Sequence, residues 1–492
     1  MNNKRKVAEV IREQLDINLS IIEGLIEIPP REDMGDYAFP CFQLAKDFRK
    51  SPEIIAKELS KNLRKSDFKN VQNLGAYVNF FIDKSELIKS TLEKVLLEGN
   101  NYGKSNIGKG KKIYLKYSQS NINNSFQMKD LFSIIIGTSL YNLFSIEGYK
   151  VEVANKLLNF NINDCELIFS REGLRSNKFL DKDIEVDILN YDLINKLKEK
   201  NILCNIDDLQ IVMLNEYNMA PCIILDENNK VSYEAKDLSD IISIKELYNF
   251  DKYICVFESS KTSYFKKVFK VLELLGFNWV NNCVHARYGL FKFQNKSCFI
   301  NKNSENLLEN IINQLTKKIL KNMNEKKIKI ENKETVAKRL ANESLIFTCL
   351  KNPREKGVLF DLEKVVSFNE GTILYVQYVY SMANCILEEA KNINERLSFS
   401  NLSNNELHLV KLLKDFNSVI NKAVEALEPC IIANYTINIT KYLKGVCDSY
   451  YSLNLGDRDL LKVKLILIKA TCQVIKNSLN LIGIKAMKNL IF

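Results

Sequence analysis

Residues 113–150 read IYLKYSQSNINNSFQMKDLFSIIIGTSLYNLFSIEGYK, and this stretch decides the fold. Ile113, Leu115 and Tyr117 alternate with polar or charged residues, which predicts a strand. Asn and Ser dominate residues 118–125, and apolar residues dominate 131–146, which predicts a polar loop followed by a buried helix. A strand, a loop and a helix in this order form the first half of a nucleotide-binding α/β unit.

Length and composition limit the classes to which this protein can belong. A chain of 492 residues is long enough for about three domains and a sizeable core. Hydrophobic residues make up 46% and charged residues 26%, which excludes a disordered or fibrous protein. The net charge of +10, from 70 Lys+Arg against 60 Asp+Glu, favours a polyanionic partner and is equally typical of a solvated lysine-rich surface.

The cysteine pattern argues against a metal site. Twelve cysteines are scattered singly without a CxxC pair, and the only histidines are His285 and His408, so we expect no metal site and a reducing compartment. The first 15 residues, MNNKRKVAEVIREQL, have no apolar core and do not predict a secretory signal. No run reaches the roughly 20 apolar residues of a spanning helix, so we expect a cytoplasmic protein without a membrane partner.

Two segments near the N-terminus carry a resemblance to a known family. The run MGDYAFPCFQLAKDFRKSP, residues 34–52, and the run GAYVNFFIDK, residues 75–84, resemble the N-terminal tRNA-binding domain of bacterial arginyl-tRNA synthetases. The resemblance implies an α/β module that contacts the elbow of tRNA through a strand carrying Tyr77, Asn79 and Phe81. The alternative is that this strand is packed inside the module without touching RNA. For Phe81 the sequence favours neither packing nor RNA contact over the other.

In this family the loop of residues 118–130 belongs to a class I catalytic domain and ends in the motif H-x-G-H. Gln127, Met128, Lys129 and Asp130 occupy the motif positions here. The family histidines donate hydrogen bonds to the ATP phosphates, and the glycine lets the adenosine approach the backbone. Gln127 retains one donor, whereas Lys129 fills the space and Asp130 adds an anion beside the phosphates. Losing one such donor costs about 10²- to 10³-fold in rate, so we expect no useful turnover.

The resemblance also assigns the amino-acid pocket. Tyr233, Asp237 and Asn121 match family residues that hold the arginine substrate, whereas Lys116 replaces an acidic residue and Lys261 replaces a glutamine. One pair of unit charges about 4 Å apart at an effective dielectric of about 20 is worth roughly 4 kcal/mol, so exchanging a carboxylate for an ammonium changes binding by up to about 8 kcal/mol. We therefore expect the pocket to refuse arginine and to take an anionic ligand or none.

Two further family features are missing from the centre of the chain. The run N-H-x-G-D-W-G-T-Q-F-G has no counterpart, and several tens of family residues are expected to be deleted around residues 160–210. The mobile lysine loop KMS-x-R-K-G aligns with residues 297–303, SCFINKN, where the Met-Ser core and the glycine are absent. Lys296 and Lys302 remain as isolated candidates for a phosphate contact.

The C-terminal third resembles the anticodon-binding helical bundle of the family. The run NEGTILYVQYVYSMANCIL, residues 369–387, matches its start, and apolar residues recur at i, i+3, i+4 and i+7 from about residue 303 to the end. Tyr375, Gln377 and Tyr380 are candidates for contact with unpaired bases. Tyrosines at helical spacing are more often core residues, and this alternative stays open.

The expected fold class is α/β plus all-α, with a trimmed Rossmann-like class I catalytic domain between two RNA-binding domains. The predicted boundaries are 1–84 for the tRNA-binding module, 85–110 for a linker, 111–302 for the catalytic domain, 303–360 for a helical connector and 361–492 for the bundle. The leading hypothesis is a degenerate paralogue that binds tRNA or a tRNA-like RNA, needs no cofactor and has lost arginine activation.

Two alternatives remain. The first is an active arginine–tRNA ligase that uses ATP and Mg²⁺, as membership of the family alone would imply. The second is an interaction or ligand-sensing protein, built on the old catalytic cleft, with a protein partner.

Overall fold

The computed structural model describes residues 3–15, 17–31, 34–63, 68–82, 84–117, 128–154, 186–294, 307–328, 330–389, 402–452, 458–488 and 490. Asn121, Gln127, Lys296 and Lys302 lie outside these residues, so their predicted roles stay predictions. Contacts between Cα atoms divide the chain into one unit containing Met1–Glu93 and a second containing Lys94–Arg396 and Ser403–Phe492.

The N-terminal unit is a small α/β module around a three-stranded antiparallel sheet. The predicted strand at Tyr77 is confirmed, and it lies at the centre of the sheet. The run Ser51-Pro52-Glu53 predicts a helix start, and a helix begins at Pro52. Proline fits the first helical position because it has no N–H to leave unpaired there. The elements are α1 (Asn3–Arg12), α2 (Leu19–Leu25), β1 (Tyr37–Pro40), α3 (Ala45–Phe48), α4 (Pro52–Leu63), β2 (Asn70–Leu74), β3 (Tyr77–Phe81) and α5 (Lys84–Glu98).

The second unit begins with the strand, loop and helix predicted from the opening stretch. The strand and the helix are confirmed as β4 (Lys112–Tyr117) and α6 (Met128–Ile146). The elements that follow, as far as residue 293, are β5 (Lys150–Ala154), α7 (Val186–Glu199), β6 (Leu203–Ile206), β7 (Leu209–Val212), β8 (Cys222–Leu225), α8 (Tyr233–Tyr248), β9 (Lys252–Val256), α9 (Thr262–Leu274), β10 (Cys283–His285) and β11 (Phe291–Phe293).

Four parallel strands form the central sheet of this unit in the order β10-β9-β4-β5. Strand β4 lies inside the sheet, with Ile113 opposite Val151 on one side and Lys252 on the other. Helices α8 and α9 pack on one face of the sheet through a core that includes Tyr114 and Tyr253. In such sheets ligands bind at the carboxyl ends of the strands, which here places the end of β4 at the centre of the candidate site.

Two strand assignments differ from the sequence-based expectation. The apolar run Cys222–Leu225 predicts a strand of the parallel sheet, but it pairs antiparallel with β7 in a separate sheet of order β6-β7-β8. The chain after residue 303 was expected to be helical throughout, but Val358–Phe360 forms a strand, β12, parallel to β11. A short apolar run can predict a strand, but its pairing partner is decided by long-range contacts.

The C-terminal region forms the expected helical bundle and packs against the domain that contains the parallel sheet. Tyr102 stacks on Phe416 and donates a hydrogen bond to the Leu413 carbonyl oxygen at 2.7 Å, so part of the predicted linker is anchored in the core. No helix among the described residues is long and apolar enough to cross a membrane. The helices are α10 (Leu307–Glu325), α11 (Lys333–Leu350), α12 (Leu362–Val365), α13 (Ile373–Glu389), α14 (Asn404–Lys414), α15 (Phe416–Ala426), α16 (Cys430–Tyr451) and α17 (Arg458–Leu481).

Candidate functional site

A buried ion pair lies at the carboxyl edge of the parallel sheet. Lys116 is the penultimate residue of β4, and only 7% of its surface is exposed. Its Nζ donates a hydrogen bond to Asp237 Oδ1 at 2.6 Å and lies 3.8 Å from Asp240 Oδ2. Two residues that the resemblance assigned to the arginine pocket, Lys116 and Asp237, therefore bind each other.

Tyr264 engages the second oxygen of Asp237. Its hydroxyl donates to Asp237 Oδ2 at 2.6 Å and lies 3.0 Å from the Tyr233 carbonyl oxygen. The Ser232 side chain caps the start of α8 by accepting from the Ala235 backbone N–H at 3.0 Å, which fixes the first turn and places Asp237 above the sheet. Both carboxylate oxygens of Asp237 therefore have partners from this chain.

The surroundings favour the ammonium form of Lys116 and the neutral hydroxyl of Tyr264. Burial by itself lowers the pKa of Lys116, but the charges of Asp237 and Asp240 outweigh burial and raise it above the ordinary value. Burial, followed by the charge of Asp237, raises the pKa of Tyr264, so its hydroxyl keeps the proton that it donates. The ammonium of Lys116 therefore neutralises the carboxylate of Asp237 inside the protein.

Two other predicted pocket residues stand at the rim of the network. The side chain of Tyr233 is 72% exposed, and Lys261 is also exposed. The Nζ atom of Lys261 lies 5.3 Å from the ring centroid of Tyr264, within the range of a cation–π contact. Asp237, the backbone carbonyl of Tyr233 and Lys261 therefore lie around Tyr264. Lys116 is joined to Tyr264 through Asp237.

Tyr264 is the member of this group that the sequence analysis missed. Its position was available as a signal, because it lies in the first turn of the helix that follows β9, again at the carboxyl edge of the sheet. Tyrosine was not singled out there because nothing local distinguishes it from the other aromatic residues at the start of the same helix.

Part of the segment predicted to replace the H-x-G-H motif forms the start of α6. The helix begins at Met128, and Asp130 lies in its first turn. An acidic side chain stabilises a helix start through the helix dipole, and the same position attracts phosphate in nucleotide-binding folds. The predicted effect of the Asp130 carboxylate on a bound ATP triphosphate stays a prediction. The predicted role of Lys129 stays a prediction.

The predicted RNA contacts of the N-terminal unit divide into exposed and buried residues. Tyr77 and Phe81 are partly exposed, and the ring of Tyr77 meets that of Phe42 edge-on at 5.4 Å. Asn79 is only 2% exposed because it lies on the central strand of the sheet. Its burial makes Asn79 a core residue in this structure rather than an exposed RNA contact.

The predicted contacts at the start of the bundle divide in the same way. Tyr375 is half-buried and accessible, whereas Tyr380 is buried. Gln377 is fully buried, and its Nε2 donates to Glu343 Oε2 at 2.7 Å and to the Lys485 carbonyl oxygen at 2.9 Å. Its Oε1 accepts from the Met487 backbone N–H at 2.8 Å. Gln377 and Tyr380 are therefore core residues, and Tyr375 is the accessible member of the three.

No group of three or more His, Cys, Asp or Glu side chains suited to holding a metal ion is found among the residues that the structure describes.

Three family models together match most of the chain. The model described as "Arginyl tRNA synthetase N terminal domain" matches residues 2–82. The model described as "tRNA synthetases class I (R), catalytic domain" matches residues 91–170 and 174–362. The model described as "DALR anticodon binding domain" matches residues 376–490.

Similar proteins agree with the family models along the whole chain. A protein of Clostridium botulinum (strain Alaska E43 / Type E3) named arginine–tRNA ligase is 36% identical over 563 residues, covering 100% of both chains. One of Clostridium beijerinckii with the same name is 36% identical over 564 residues, also covering 100% of both. Each alignment is longer than the 492 residues of this chain, so these relatives contain positions that have no counterpart here.

A solved structure shares the fold. The arginyl-tRNA synthetase of Thermus thermophilus superposes with a TM-score of 0.70 and 17% identity, covering 99% of both chains. The parallel-sheet catalytic domain and the two outer domains are therefore arranged along the chain in the order that the sequence predicted.

Proposed function

Because the chain belongs to the arginyl-tRNA synthetase family, we propose that it binds tRNA and that its central domain no longer activates arginine. The observation that carries the second part is the buried pair of Lys116 and Asp237. Asp237 matches a family residue that holds the substrate, and here its charge is already neutralised by the chain itself.

Arginine would have to displace the side chain of Lys116 to reach Asp237. Breaking a buried ion pair costs about 3–5 kcal/mol, because it leaves a charge without a partner. Lys116 also competes as an intramolecular ligand, and the effective concentration of such a ligand is at least on the order of millimolar. Both effects oppose the binding of a free cationic amino acid.

The ATP side of the cleft supports the same proposal. The H-x-G-H motif reads Gln127-Met128-Lys129-Asp130, and the carboxylate of Asp130 lies in the first turn of α6, where phosphate would approach. No adenylation step follows from these residues.

RNA binding by the outer domains is supported by the family models and by accessible aromatic residues. The matched models cover an arginyl-tRNA synthetase N-terminal domain and an anticodon-binding domain. Tyr77, Phe81 and Tyr375 are accessible for contact with bases or sugars. The cytoplasmic location predicted from the sequence belongs to this proposal.

The second candidate function is ATP-dependent arginine–tRNA ligation, with ATP and Mg²⁺ as in the family. The comparisons favour this candidate over a loss of activity, since relatives 36% identical along the whole chain carry the name of the ligase. It requires Lys116 to leave Asp237 when arginine arrives, and Gln127 and Lys129 to replace the histidine chemistry. A role with a protein partner has no observation in its favour.

Arginine-dependent exchange between ATP and pyrophosphate, measured with a tRNA-Arg transcript present, separates the two candidates. The ligase of Clostridium botulinum is the positive control, and we expect no exchange above background for this chain. Exchange at a rate comparable with the control would overturn the loss of activity and establish the second candidate.

Binding of the tRNA-Arg transcript between 50 and 200 mM salt tests the RNA-binding part. We expect affinity that falls steeply as salt rises, because phosphate contacts release counterions. Absence of binding to this transcript and to total tRNA at low salt would overturn this part alone.

A further inference from the structure

We propose that the amino edge of the parallel sheet, opposite the edge that carries the candidate site, binds the phosphate backbone of RNA through Lys109, Lys111 and Lys150. The inference rests on the proposed binding of RNA, and it adds a contact surface in the central domain to those of the two outer domains. The amino edge surrounds the first residues of β4, β5 and β9 and consists of residues 104–112, 147–152 and 245–252.

The amino edge carries an excess of positive charge. Its three segments contain seven lysines and four carboxylates, and three of these carboxylates already have partners in the chain. Asp251 Oδ2 accepts from the Lys112 backbone N–H at 2.6 Å, and Glu147 is buried and accepts from a serine hydroxyl. Glu152 Oε1 lies 3.2 Å from Lys150 Nζ. The lysines of this edge therefore outnumber the carboxylates that could neutralise them.

The register of the sheet places lysines side by side along this edge. Lys112 lies opposite Lys150, whose backbone N–H donates to the Lys111 carbonyl oxygen at 3.0 Å. On the other side of β4, strand β9 begins with Lys252, opposite Ile113. Because neighbouring strands lie about 4.8 Å apart, the first residues of the strands form a row that a phosphate chain can follow.

Lys112 stabilises the fold, whereas three other lysines of this edge are exposed. Lys112 Nζ donates to the Tyr248 carbonyl oxygen at 3.1 Å, at the end of α8, where a cation offsets the helix dipole. Lys109 and Lys111 are exposed, and the side chain of Lys150 is 67% exposed. The ion pair of Lys150 lies at the surface, where such pairs contribute little to stability. Lys109, Lys111 and Lys150 are therefore accessible to an anionic ligand.

The turn that carries two of the exposed lysines leaves its backbone open. Gly110, between Lys109 and Lys111, has a φ of +83°. Among the described residues, no atom beyond its chain neighbours lies within 4 Å of the place that a Cβ would occupy. A phosphate can therefore approach the backbone of this turn as closely as its two ammonium groups.

Two tyrosines stand at the same edge as the lysines. Tyr149 and Tyr248 are partly exposed. The ring of Tyr149 meets that of Phe144 edge-on at 5.2 Å, and the ring of Tyr248 lies 5.6 Å from that of Tyr114. Surfaces that combine lysines with such held aromatic rings are typical of RNA binding, because phosphates meet the charges and bases meet the rings. This combination favours RNA over an acidic peptide, whose carboxylates would use the lysines alone.

The experiment measures binding of the tRNA-Arg transcript to the full chain over a range of salt concentrations. It compares wild type with Lys111→Gln/Lys150→Gln. Each lost phosphate contact reduces the slope of log K against log[salt] by about 0.7–0.9, so we expect the slope of the double variant to fall by about 1.5. At about 100 mM salt this change corresponds to a loss of affinity of roughly 30-fold.

Two matched variants separate a local contact from a general effect of charge. Lys198→Gln/Lys200→Gln removes the same charge from exposed positions at the end of α7 and should keep the slope of wild type. Lys111→Arg/Lys150→Arg retains the charge at the amino edge and should retain the affinity.

Acetylation of lysines in wild type provides a measurement without any substitution. Bound transcript should slow the acetylation of Lys111 and Lys150 and leave that of Lys198 unchanged. This measurement decides the question if the double variant is recovered unfolded. Poly-L-glutamate, a polyanion without bases, should bind wild type more weakly than the transcript does.

Three results would overturn the inference while leaving the proposed binding of RNA in place. They are an unchanged slope in Lys111→Gln/Lys150→Gln, an equal loss in Lys198→Gln/Lys200→Gln, and binding of poly-L-glutamate that is as tight as that of the transcript and equally weakened in the double variant. A wild type that binds no RNA at low salt would overturn both the inference and the RNA-binding part of the proposed function.

Discussion

The cleft at the edge of the parallel sheet and the start of the bundle both contain residues that the resemblance assigned to ligand contact. In both regions such a residue is buried and bonded to groups of the chain itself, but the bonding groups differ. In the cleft, Asp237 is matched by the charge of Lys116. In the bundle, the amide of Gln377 is held by two backbone groups and by Glu343. The partner of Asp237 is a single charged side chain, whereas Gln377 is bonded to the backbone at both ends of its amide, so the two networks should respond differently to substitution.

The largest expected effect comes from breaking the charge pair in the cleft. Asp237→Leu leaves Lys116 buried without its closest partner, and we expect the catalytic domain to lose about 3–5 kcal/mol of stability. The matched variant Lys116→Met/Asp237→Leu should recover most of this loss, because it removes both charges and fills the space. Urea unfolding measures both, and an unchanged midpoint in Asp237→Leu would show that Lys116 finds another partner.

A smaller effect is expected at the bundle, where the network is built around a neutral amide. Gln377→Leu leaves the Met487 N–H, the Lys485 carbonyl and the Glu343 carboxylate short of a partner, at a cost of about 1–3 kcal/mol. Glu389→Ala, at an exposed position of the same helix, is the control and should leave the unfolding midpoint in place. A loss in Gln377→Leu as large as that in Asp237→Leu would remove the distinction between the two networks.

RNA binding should depend on the accessible tyrosine of the bundle and not on the buried one. A tyrosine that stacks on a base contributes roughly 1–3 kcal/mol, so we expect Tyr375→Ala to weaken binding of the tRNA-Arg transcript by about tenfold. Tyr380→Phe should leave affinity unchanged, because Tyr380 is buried. Filter binding at fixed salt checks both, and equal losses in the two variants would indicate that folding of the helix is being measured.

The smallest expected effect is the pH dependence of the two networks, which should lie in different pH ranges. Burial raises the pKa of Glu343 above its ordinary value of 4.5, so the folded state holds a proton that the unfolded state has lost. Stability relative to Glu343→Gln should therefore fall as pH rises from about 4.5 through the raised pKa. The raised pKa of Lys116 keeps the contribution of the cleft pair intact at least up to pH 10.5 and removes it above that.

Unfolding midpoints between pH 4.5 and 8 for wild type and Glu343→Gln test whether Glu343 makes the protein less stable as pH rises. Parallel pH profiles for the two proteins would contradict a raised pKa at Glu343.

Much of the fold followed from local patterns. The alternation of residues 113–117 and the apolar run of 131–146 predicted β4 and α6, because the repeat of a strand or helix is written in consecutive residues. The pairing of Cys222–Leu225 with β7 was not predictable in this way, because a strand of four apolar residues fits either sheet. Tyr264 was missed for a similar reason, since its partner lies 27 residues away in the chain.

The sequence by itself determined the family and the order of the domains, and it predicted the loss of the H-x-G-H motif, because these depend on residue identities along the chain. It also placed a lysine at position 116 and predicted that the pocket would refuse arginine and take an anionic ligand or none. Only the tertiary structure decided that the Lys116 charge is matched by Asp237 and that Asn79, Gln377 and Tyr380 are buried. The reason is that a charged or amide side chain is available to a ligand only if no group of the protein within about 3 Å already binds it. That group comes from a distant part of the chain.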